Sequence, residues 1–196
     1  MRIILASKSP RRRELLSALA HEMGFRFEII TEEVDESISD SVLPSDAVRI
    51  LAERKGGVIA KREDCNGALI ISSDTLVELD GTALGKPKDE EEATEMLSSL
   101  SGRGHFVRTG ISVSYKGKVF SGVASTEVVF RSISEGEIKE YVDSGEPMDK
   151  AGAYGIQGGA GKFVKEYIGD FDTVVGLSLS LTRSLIKEAA GGDAFD

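Results

Sequence analysis

The hydrophobic and polar positions of this chain follow two different periods along most of its 196 residues. Short aliphatic runs, typical of buried strands, are followed by stretches in which apolar residues recur every three or four positions, which indicates amphipathic helices. The aliphatic runs predict strands at 3–6, 27–30, 69–79, 106–115, 119–130 and 164–168. The periodic stretches predict helices that begin at or near Pro10, Ser45, Asp89, Ser134 and Leu177.

The boundaries between these elements carry their own signals. Pro10 suits a first helical turn, where the missing N–H of proline costs nothing, and Ser134 with Glu137 has the spacing of a capping box. Asp80-Gly81 is a hairpin signal. The sequence therefore predicts one α/β domain over residues 1–190, with a mixed, partly antiparallel twisted sheet flanked by helices. Two lobes around a central cleft are an alternative arrangement of the same elements, and residues 191–196 are expected to form a frayed tail.

Composition and charge narrow the class of protein. The formal net charge of -9 disfavours general attraction to nucleic acid or to anionic membranes. Cys65 is the only cysteine, which rules out an internal disulfide and favours a reducing compartment. The apolar run at the N-terminus is too short for a signal sequence, and no segment approaches membrane-spanning length. We expect a cytoplasmic protein.

Against this acidic background, three consecutive arginines follow a Ser-Pro turn in the segment ASKSPRRRELL, residues 6 to 16. A strand end that leads into a helix N-terminus presents backbone N–H groups and forms an anion site. Ser7 lies in this turn, and Arg11 and Arg12 add forked donors that suit phosphate oxygens. A solvated first turn is the alternative, and it is the interpretation we favour for Arg13.

Carboxylates and lysines define a second group of candidates. Asp74, in the segment SSDT, stands inside a buried-strand pattern, where a carboxylate must be paired or bound to a metal. Lys86 follows on the hairpin return, from which a cation could reach back towards Asp74. Glu36, in the acidic loop after the second strand, and Lys55, in the segment LAERK, are further candidates; simple solvation is the alternative for Glu36.

A glycine-rich run, AGAYGIQGGAGKF, spans residues 151 to 163. Its GAGK resembles a phosphate-binding loop, but Ile156 and Phe163 stand where that motif requires a glycine and a Ser or Thr, so we reject this site. The glycines still indicate a close approach to the backbone, with Gln157 as a polar side chain among them. Neither a zinc pattern nor a catalytic triad is present in the sequence.

Taken in order, these segments resemble the Maf family of nucleoside triphosphate pyrophosphatases from about Ile3 to Leu185. The matching signatures are ASKSPRRRELL, VDE at 34 to 36, LAERK, SSDTLV, GKP, LSGRGH, DKAGAYGIQG and VVGL. Arg12, Thr75 and Gln157 are similar to the dTTP/UTP-hydrolysing branch, which assigns substrate selection to these three residues. One departure is Ser178, which stands where this family often has a proline and is expected to alter only the entry to the last helix.

The resemblance implies an inosine triphosphate pyrophosphatase-like (Maf/Ham1) architecture and hydrolysis of a nucleoside triphosphate to the monophosphate and pyrophosphate. It further implies a divalent cation, Mg²⁺ or Mn²⁺, and a homodimer. In this scheme Glu36 and Asp74 bind the metal, and Asp74 also acts as the base for the attacking water. The remaining residues, Ser7, Arg11, Lys55 and Lys86, hold the polyphosphate.

Two kinds of alternative remain open from the sequence. The same chemistry could act on methylated GTP, CTP or deaminated purine nucleotides, against which Thr75 and Gln157 argue only in part. A non-catalytic regulator of septum formation would need none of the charged residues together. Nucleotide turnover by the purified protein discriminates between these classes.

Overall fold

The computed structural model describes residues 1–39 and 41–191. Within these ranges the strands are β1 (Ile3–Leu5), β2 (Glu28–Ile29), β3 (Leu69–Leu79), β4 (Thr82–Leu84), β5 (Gly104–Tyr115), β6 (Lys118–Phe130) and β7 (Val164–Ile168). The α-helices are α1 (Pro10–Met23), α2 (Pro44–Ala60), α3 (Glu90–Leu100), α4 (Glu135–Asp143), α5 (Phe171–Val175) and α6 (Leu179–Ala190). Short 3₁₀ turns lie at Glu63–Cys65, Glu146–Asp149, Ala151–Ala153 and Gly159–Phe163.

The strands form one mixed sheet in the order β2-β1-β3-β5-β6-β7, and β4 pairs with β3. β1 runs parallel to β2 and to β3, with Leu5 opposite Ile71. The pairs β3–β4 and β6–β7 are antiparallel. The predicted α/β class with a mixed, partly antiparallel sheet is therefore confirmed.

The chain divides into two compact units. The first comprises Met1–Asp74, Thr109–Ala124 and the chain from Gly176 onwards. Here alternate residues of β1 and β3 enter two separate apolar clusters: Ile3 and Leu5 join one, whereas Ile4 joins the other. Burial on both faces is typical of parallel strands, and it explains why β1 and β3 appear in the sequence as continuous aliphatic runs.

The second unit comprises Thr75–Arg108 and Ser125–Val175. Its core contains apolar residues of α3 and α4 together with four aromatic side chains, Phe130, Tyr141, Tyr154 and Phe163. Edge-to-face ring pairs connect Phe130 with both Tyr154 and Phe163. Such pairs fix the relative orientation of the rings more strictly than aliphatic packing does.

Helix ends agree with their sequence signals. Ser134 and Glu137 form the predicted capping box of α4. Ser178 caps α6, where its hydroxyl accepts the N–H of Leu181, so this residue does shape the entry to the last helix. The five-residue helix α5 was not predicted, because a single turn is too short to show a helical period.

The remaining predictions about organisation are not tested by the fold. A single domain over residues 1–190 stays a prediction, and residues 192–196 of the predicted tail lie outside the described residues. None of the helices in the described ranges combines the length and the apolar character that crossing a membrane requires.

Candidate functional site

The segment after β1 forms a tight polar turn in the first unit. Ser7 is buried, and its hydroxyl accepts the N–H of Ser9 at 3.2 Å. Ser9 is the N-cap of α1 and accepts the N–H of Arg12. These side chains hold the backbone where α1 begins, which is the arrangement that presents helix N–H groups to an anion.

Arg12 connects this turn to the middle of β3. Its guanidinium donates to the carbonyl of Ser73 at 2.7 Å and to that of Gly176 at 2.9 Å. The hydroxyl of Ser73 donates to the same Gly176 carbonyl. Burial lowers the pKa of Arg12, and the negative charges of Asp74 and Glu36 act in the opposite direction. The orientation of Arg12 is thus fixed by the protein itself, while Arg11 is half-buried and Arg13 is exposed.

Three predicted charged residues meet in the first unit. The Lys55 ammonium of α2 donates to Asp74 Oδ1 at 2.5 Å and lies 2.8 Å from Glu36 Oε1. The side chains of Lys55 and Asp74 are only 17% and 12% exposed, whereas that of Glu36 is 56% exposed. Pairing with Lys55 explains how the strand β3 accommodates a buried carboxylate.

The loop that carries Glu36 is attached to the same helix. Arg54, next to Lys55, donates to the carbonyls of Asp35 at 2.5 Å and Ser37 at 3.0 Å. The Ser37 N–H donates in turn to Asp35 Oδ1, and this contact lowers the pKa of the Asp35 carboxyl. Arg54 therefore holds the backbone on both sides of Glu36.

Two carboxylates that converge on one cation are a suitable donor set for a hard divalent metal. No group of three His, Cys, Asp or Glu side chains that could hold a metal occurs among residues 1–39 and 41–191. Mg²⁺ commonly binds one or two protein carboxylates and takes its other ligands from substrate phosphates and water. Glu36 and Asp74 fit that pattern, because both already bind the positive charge of Lys55.

The other predicted site residues belong to the second unit. Thr75 follows Asp74 in β3 and is half-buried, whereas Lys86 and Gln157 are exposed. The N–H of Gly152 donates to the carbonyl of Gly85 at 2.9 Å, so the segment GKP and the glycine-rich run are neighbours in this unit. A Cβ on Gly152 would lie 2.8 Å from the side chain of Val77, which explains the glycine at this contact.

Tyr154 connects the glycine-rich run to His105. The Tyr154 hydroxyl lies 2.8 Å from His105 Nε2, and both side chains are buried beside Phe130. Burial lowers the pKa of His105 to about 4. The histidine of the signature LSGRGH thus has a structural contact to the run.

Three side chains that hold these segments were not predicted. They are Arg54, Tyr141, which accepts the N–H of Gly155, and Glu146, which accepts the N–H of Gly159. No residue pattern reveals such contacts to backbone groups. Only position gave a signal, since Arg54 precedes Lys55 and Glu146 lies shortly before the glycine-rich run.

Comparison with known proteins gives one consistent family. The model of the family described as Maf-like protein matches residues 2–189. The dTTP/UTP pyrophosphatase of Bacillus velezensis is 45% identical over 188 residues, which are 95% of this chain and 96% of that protein. The dTTP/UTP pyrophosphatase of Photorhabdus laumondii is 46% identical over 95% of this chain and 93% of the length of that protein.

Among solved structures, the nucleoside-triphosphatase (dITP/XTP pyrophosphatase) of Mycobacterium abscessus aligns over 97% of this chain and 95% of that chain. The identity is 15% and the TM-score is 0.49.

Proposed function

This chain belongs to the Maf family, and from that premise we propose that it hydrolyses dTTP and UTP to the monophosphate and pyrophosphate. Relatives named dTTP/UTP pyrophosphatase are 42–46% identical to it over more than nine-tenths of its length. The family match spans all the site residues predicted from the sequence.

The observation that carries the proposal is the cluster of Glu36, Lys55 and Asp74. A buried carboxylate with an ammonium 2.5 Å away is a charged centre that a buried strand does not need for its own stability. The carbonyl of the preceding residue, Ser73, accepts a hydrogen bond from Arg12. Positive and negative groups that meet in the middle of one strand suit a reaction in which an anionic substrate and a polarised water must meet.

Binding of the triphosphate is assigned to Ser7, Arg11, Lys55 and Lys86. The turn at Ser7 offers backbone N–H groups, and a half-buried arginine next to it supplies forked donors for phosphate oxygens. Lys55 and Lys86 add point charges. The role of Lys86 rests on the family resemblance.

Glu36 and Asp74 are the residues that would hold a divalent cation, Mg²⁺ or Mn²⁺. When bound, such a cation neutralises phosphate charge and polarises the oxygens around the reacting phosphorus. Asp74 then positions the attacking water and accepts its proton, and pyrophosphate leaves from the α-phosphorus. The Lys55 ammonium holds Asp74 Oδ1 in place for this role.

Selection of the nucleobase is assigned to Arg12, Thr75 and Gln157. A glutamine amide has one acceptor and two donors, which suits the hydrogen-bonding edge of a pyrimidine. Gln157 is exposed on a turn rich in glycine, so that a ring can approach closely. A homodimer and a cytoplasmic location also stay predictions.

Hydrolysis of a panel of nucleoside triphosphates in ¹⁸O-labelled water tests the proposal. The panel is run with Mg²⁺, with Mn²⁺ and with EDTA, and the monophosphate and pyrophosphate are measured separately. Attack on the α-phosphorus places the label in the monophosphate, with dTTP and UTP as the best substrates and no turnover in EDTA. Label in pyrophosphate, or release of diphosphate and inorganic phosphate, would contradict the assigned cleavage.

A further inference from the structure

In the second unit, one pair of side chains holds the backbone on both sides of Gln157. The N–H of Gly155 donates to the hydroxyl oxygen of Tyr141 at 3.2 Å. The N–H of Gly159 donates to Glu146 Oε2 at 2.9 Å. The Tyr141 hydroxyl donates to Glu146 Oε1 at 3.0 Å and so connects the two contacts. We call these two side chains the Tyr141–Glu146 clamp.

The clamp is attached to a rigid part of the unit. Tyr141 lies on α4, is 3% exposed, and packs edge-to-face on Phe163 with ring centres 5.5 Å apart. Burial raises the pKa of Tyr141, so its hydroxyl stays protonated and able to donate. A buried hydroxyl that both donates and accepts has little freedom to turn. Glu146, half-buried, receives this donor on one oxygen and the Gly159 N–H on the other.

The glycines of the turn make room for the clamp. A Cβ on Gly158 would lie 1.9 Å from Glu146 Oε1. One on Gly159 would lie 3.2 Å from Glu146 Oε2 and 3.3 Å from the Tyr141 ring. The φ of Gly158 is -105°, which any residue adopts, so a larger residue here would meet the Glu146 carboxylate and not a backbone restriction. The two glycines after Gln157 are therefore explained by the carboxylate that fits against them.

From this geometry we infer that Tyr141 and Glu146 are positioning residues that set the nucleobase preference by fixing the turn that presents Gln157. The inference rests on the proposed role of Gln157 as a base-selecting residue. Neither Tyr141 nor Glu146 is assigned any chemical step. The position of the Gln157 amide matters because a small displacement of a group that contacts the substrate lowers kcat/KM for the preferred substrate.

Three variants open the clamp from different sides. Glu146→Ala removes both acceptor oxygens, and Tyr141→Phe removes the hydroxyl that links the two contacts. Gly158→Ala retains both side chains, but its methyl group would lie 1.9 Å from Glu146 Oε1, so the carboxylate must move away. Glu95→Ala, which removes an exposed carboxylate from α3 in the same unit, is the matched control.

The first readout is amide hydrogen exchange, which needs no substrate. In Glu146→Ala and Gly158→Ala we expect exchange at residues 155–159 to become about fivefold faster or more, as one hydrogen bond is lost. Exchange in the strands β3 and β6 should stay as in the wild type. Unchanged exchange at 155–159 would overturn the inference, because the clamp would then not hold the turn.

The second readout separates kcat from KM for dTTP, UTP and CTP. In Glu146→Ala we expect kcat/KM for dTTP and UTP to fall about tenfold relative to that for CTP, mainly through KM, with kcat within about twofold. Because the Tyr141 hydroxyl accepts the N–H of Gly155 itself, the double variant Tyr141→Phe/Glu146→Ala should lose at least as much of the preference as Glu146→Ala alone. An equal loss for all three nucleotides would show a merely structural role and overturn the inference.

The wild-type enzyme distinguishes the inference from the proposed function. If it hydrolyses none of the three nucleotides to monophosphate and pyrophosphate, the proposed function fails and the specificity role fails with it. If the wild type prefers dTTP and UTP but the variants keep the same preference despite faster exchange at 155–159, only the inference fails.

Discussion

Two segments of this protein are held in opposite ways. In the first unit, the cationic side chain of Arg54 donates to the backbone carbonyls on both sides of Glu36. In the second unit, Tyr141 and Glu146 accept backbone N–H groups on both sides of Gln157. A cation therefore holds the segment of an acidic residue, whereas a tyrosine hydroxyl and a carboxylate hold the segment of a neutral one.

The difference lies in what each segment presents. Glu36 joins a charge cluster with Lys55 and Asp74, where interactions act on any triphosphate whatever its base. Gln157 presents an amide, which discriminates by hydrogen-bond pattern and shape. Changes in the first segment should lower turnover of every nucleotide, and changes in the second should alter the preference among nucleotides.

Asp74→Asn is the strongest test of the prediction that changes in the charge cluster lower turnover of every nucleotide. Since the amide cannot accept a proton from water, we expect kcat/KM to fall about 10²- to 10⁴-fold for dTTP, UTP and CTP alike. Steady-state kinetics across the three nucleotides measures it. Asp80→Asn, an exposed change at the β3–β4 turn, should leave kcat/KM within about twofold. Near-normal turnover by Asp74→Asn would remove the assigned base.

Lys55→Met should lower kcat/KM by the next largest factor, and it should also lower the free energy of unfolding. The side chain keeps its length, but Asp74 loses the ammonium 2.5 Å away. We expect the free energy of unfolding in urea to fall by about 1–3 kcal/mol and kcat/KM to fall about 10- to 100-fold for all nucleotides.

The matched control for this change is Lys139→Met on α4, whose exposed ammonium pairs with Asp143 one helical turn away. Such exposed pairs contribute little to stability, so the free energy of unfolding should change by less than about 0.5 kcal/mol. Equal effects of the two lysine substitutions would mean that the charge cluster has no special role in the first unit.

Arg54→Met addresses the segment of Glu36 without touching its carboxylate. If Glu36 binds the metal, loosening its loop should raise the Mg²⁺ concentration for half-maximal activity about tenfold, while saturating Mg²⁺ restores kcat. Metal titrations of activity at fixed dTTP measure this effect. Arg49→Met, on the same helix but paired with Asp46 and Glu53, should leave the titration unchanged. A lowered kcat at saturating Mg²⁺ would contradict this account of Arg54.

The elements that the sequence predicted well are those with signals in their own residues. β3 begins and ends where the aliphatic pattern places it, and the capping box at Ser134 is present. Asp74 was singled out because a carboxylate in a buried strand needs a partner, and the structure gives it Lys55. Local patterns and the cost of burying charge are sufficient for predictions of this kind.

What the sequence did not predict depends on contacts with the backbone. Arg54 acts on two carbonyls, and Tyr141 and Glu146 act on two amides. Every residue has a backbone carbonyl, and every residue except proline has a backbone N–H, so these contacts leave no trace in the residue pattern. The side chains that fix both segments become visible only once the chain is folded.

The segment of Gln157 is also connected to a group whose protonation depends on pH. The glycine-rich run that contains Gln157 is anchored through Tyr154 to His105, whose pKa burial lowers from about 6.5 to about 4. Between these values the unfolded chain binds a proton that folded His105 does not, so acid favours unfolding. The stabilisation is complete above about pH 6.5, is lost as the pH falls towards 4, and changes no further below that.

The smallest effect we predict follows from this proton. His105→Gln removes the titrating group and retains an amide that can reach the Tyr154 hydroxyl. From pH 7.5 to pH 5.5 the wild type should lose about 1 kcal/mol more of its free energy of unfolding than the variant does. Between pH 7.5 and 8.5, where histidine is neutral in both states, the two proteins should change equally. If the free energies of unfolding of the wild type and the variant fell equally between pH 7.5 and 5.5, His105 would not be held neutral by burial. The contact of His105 with Tyr154 would then not weaken in acid for this reason.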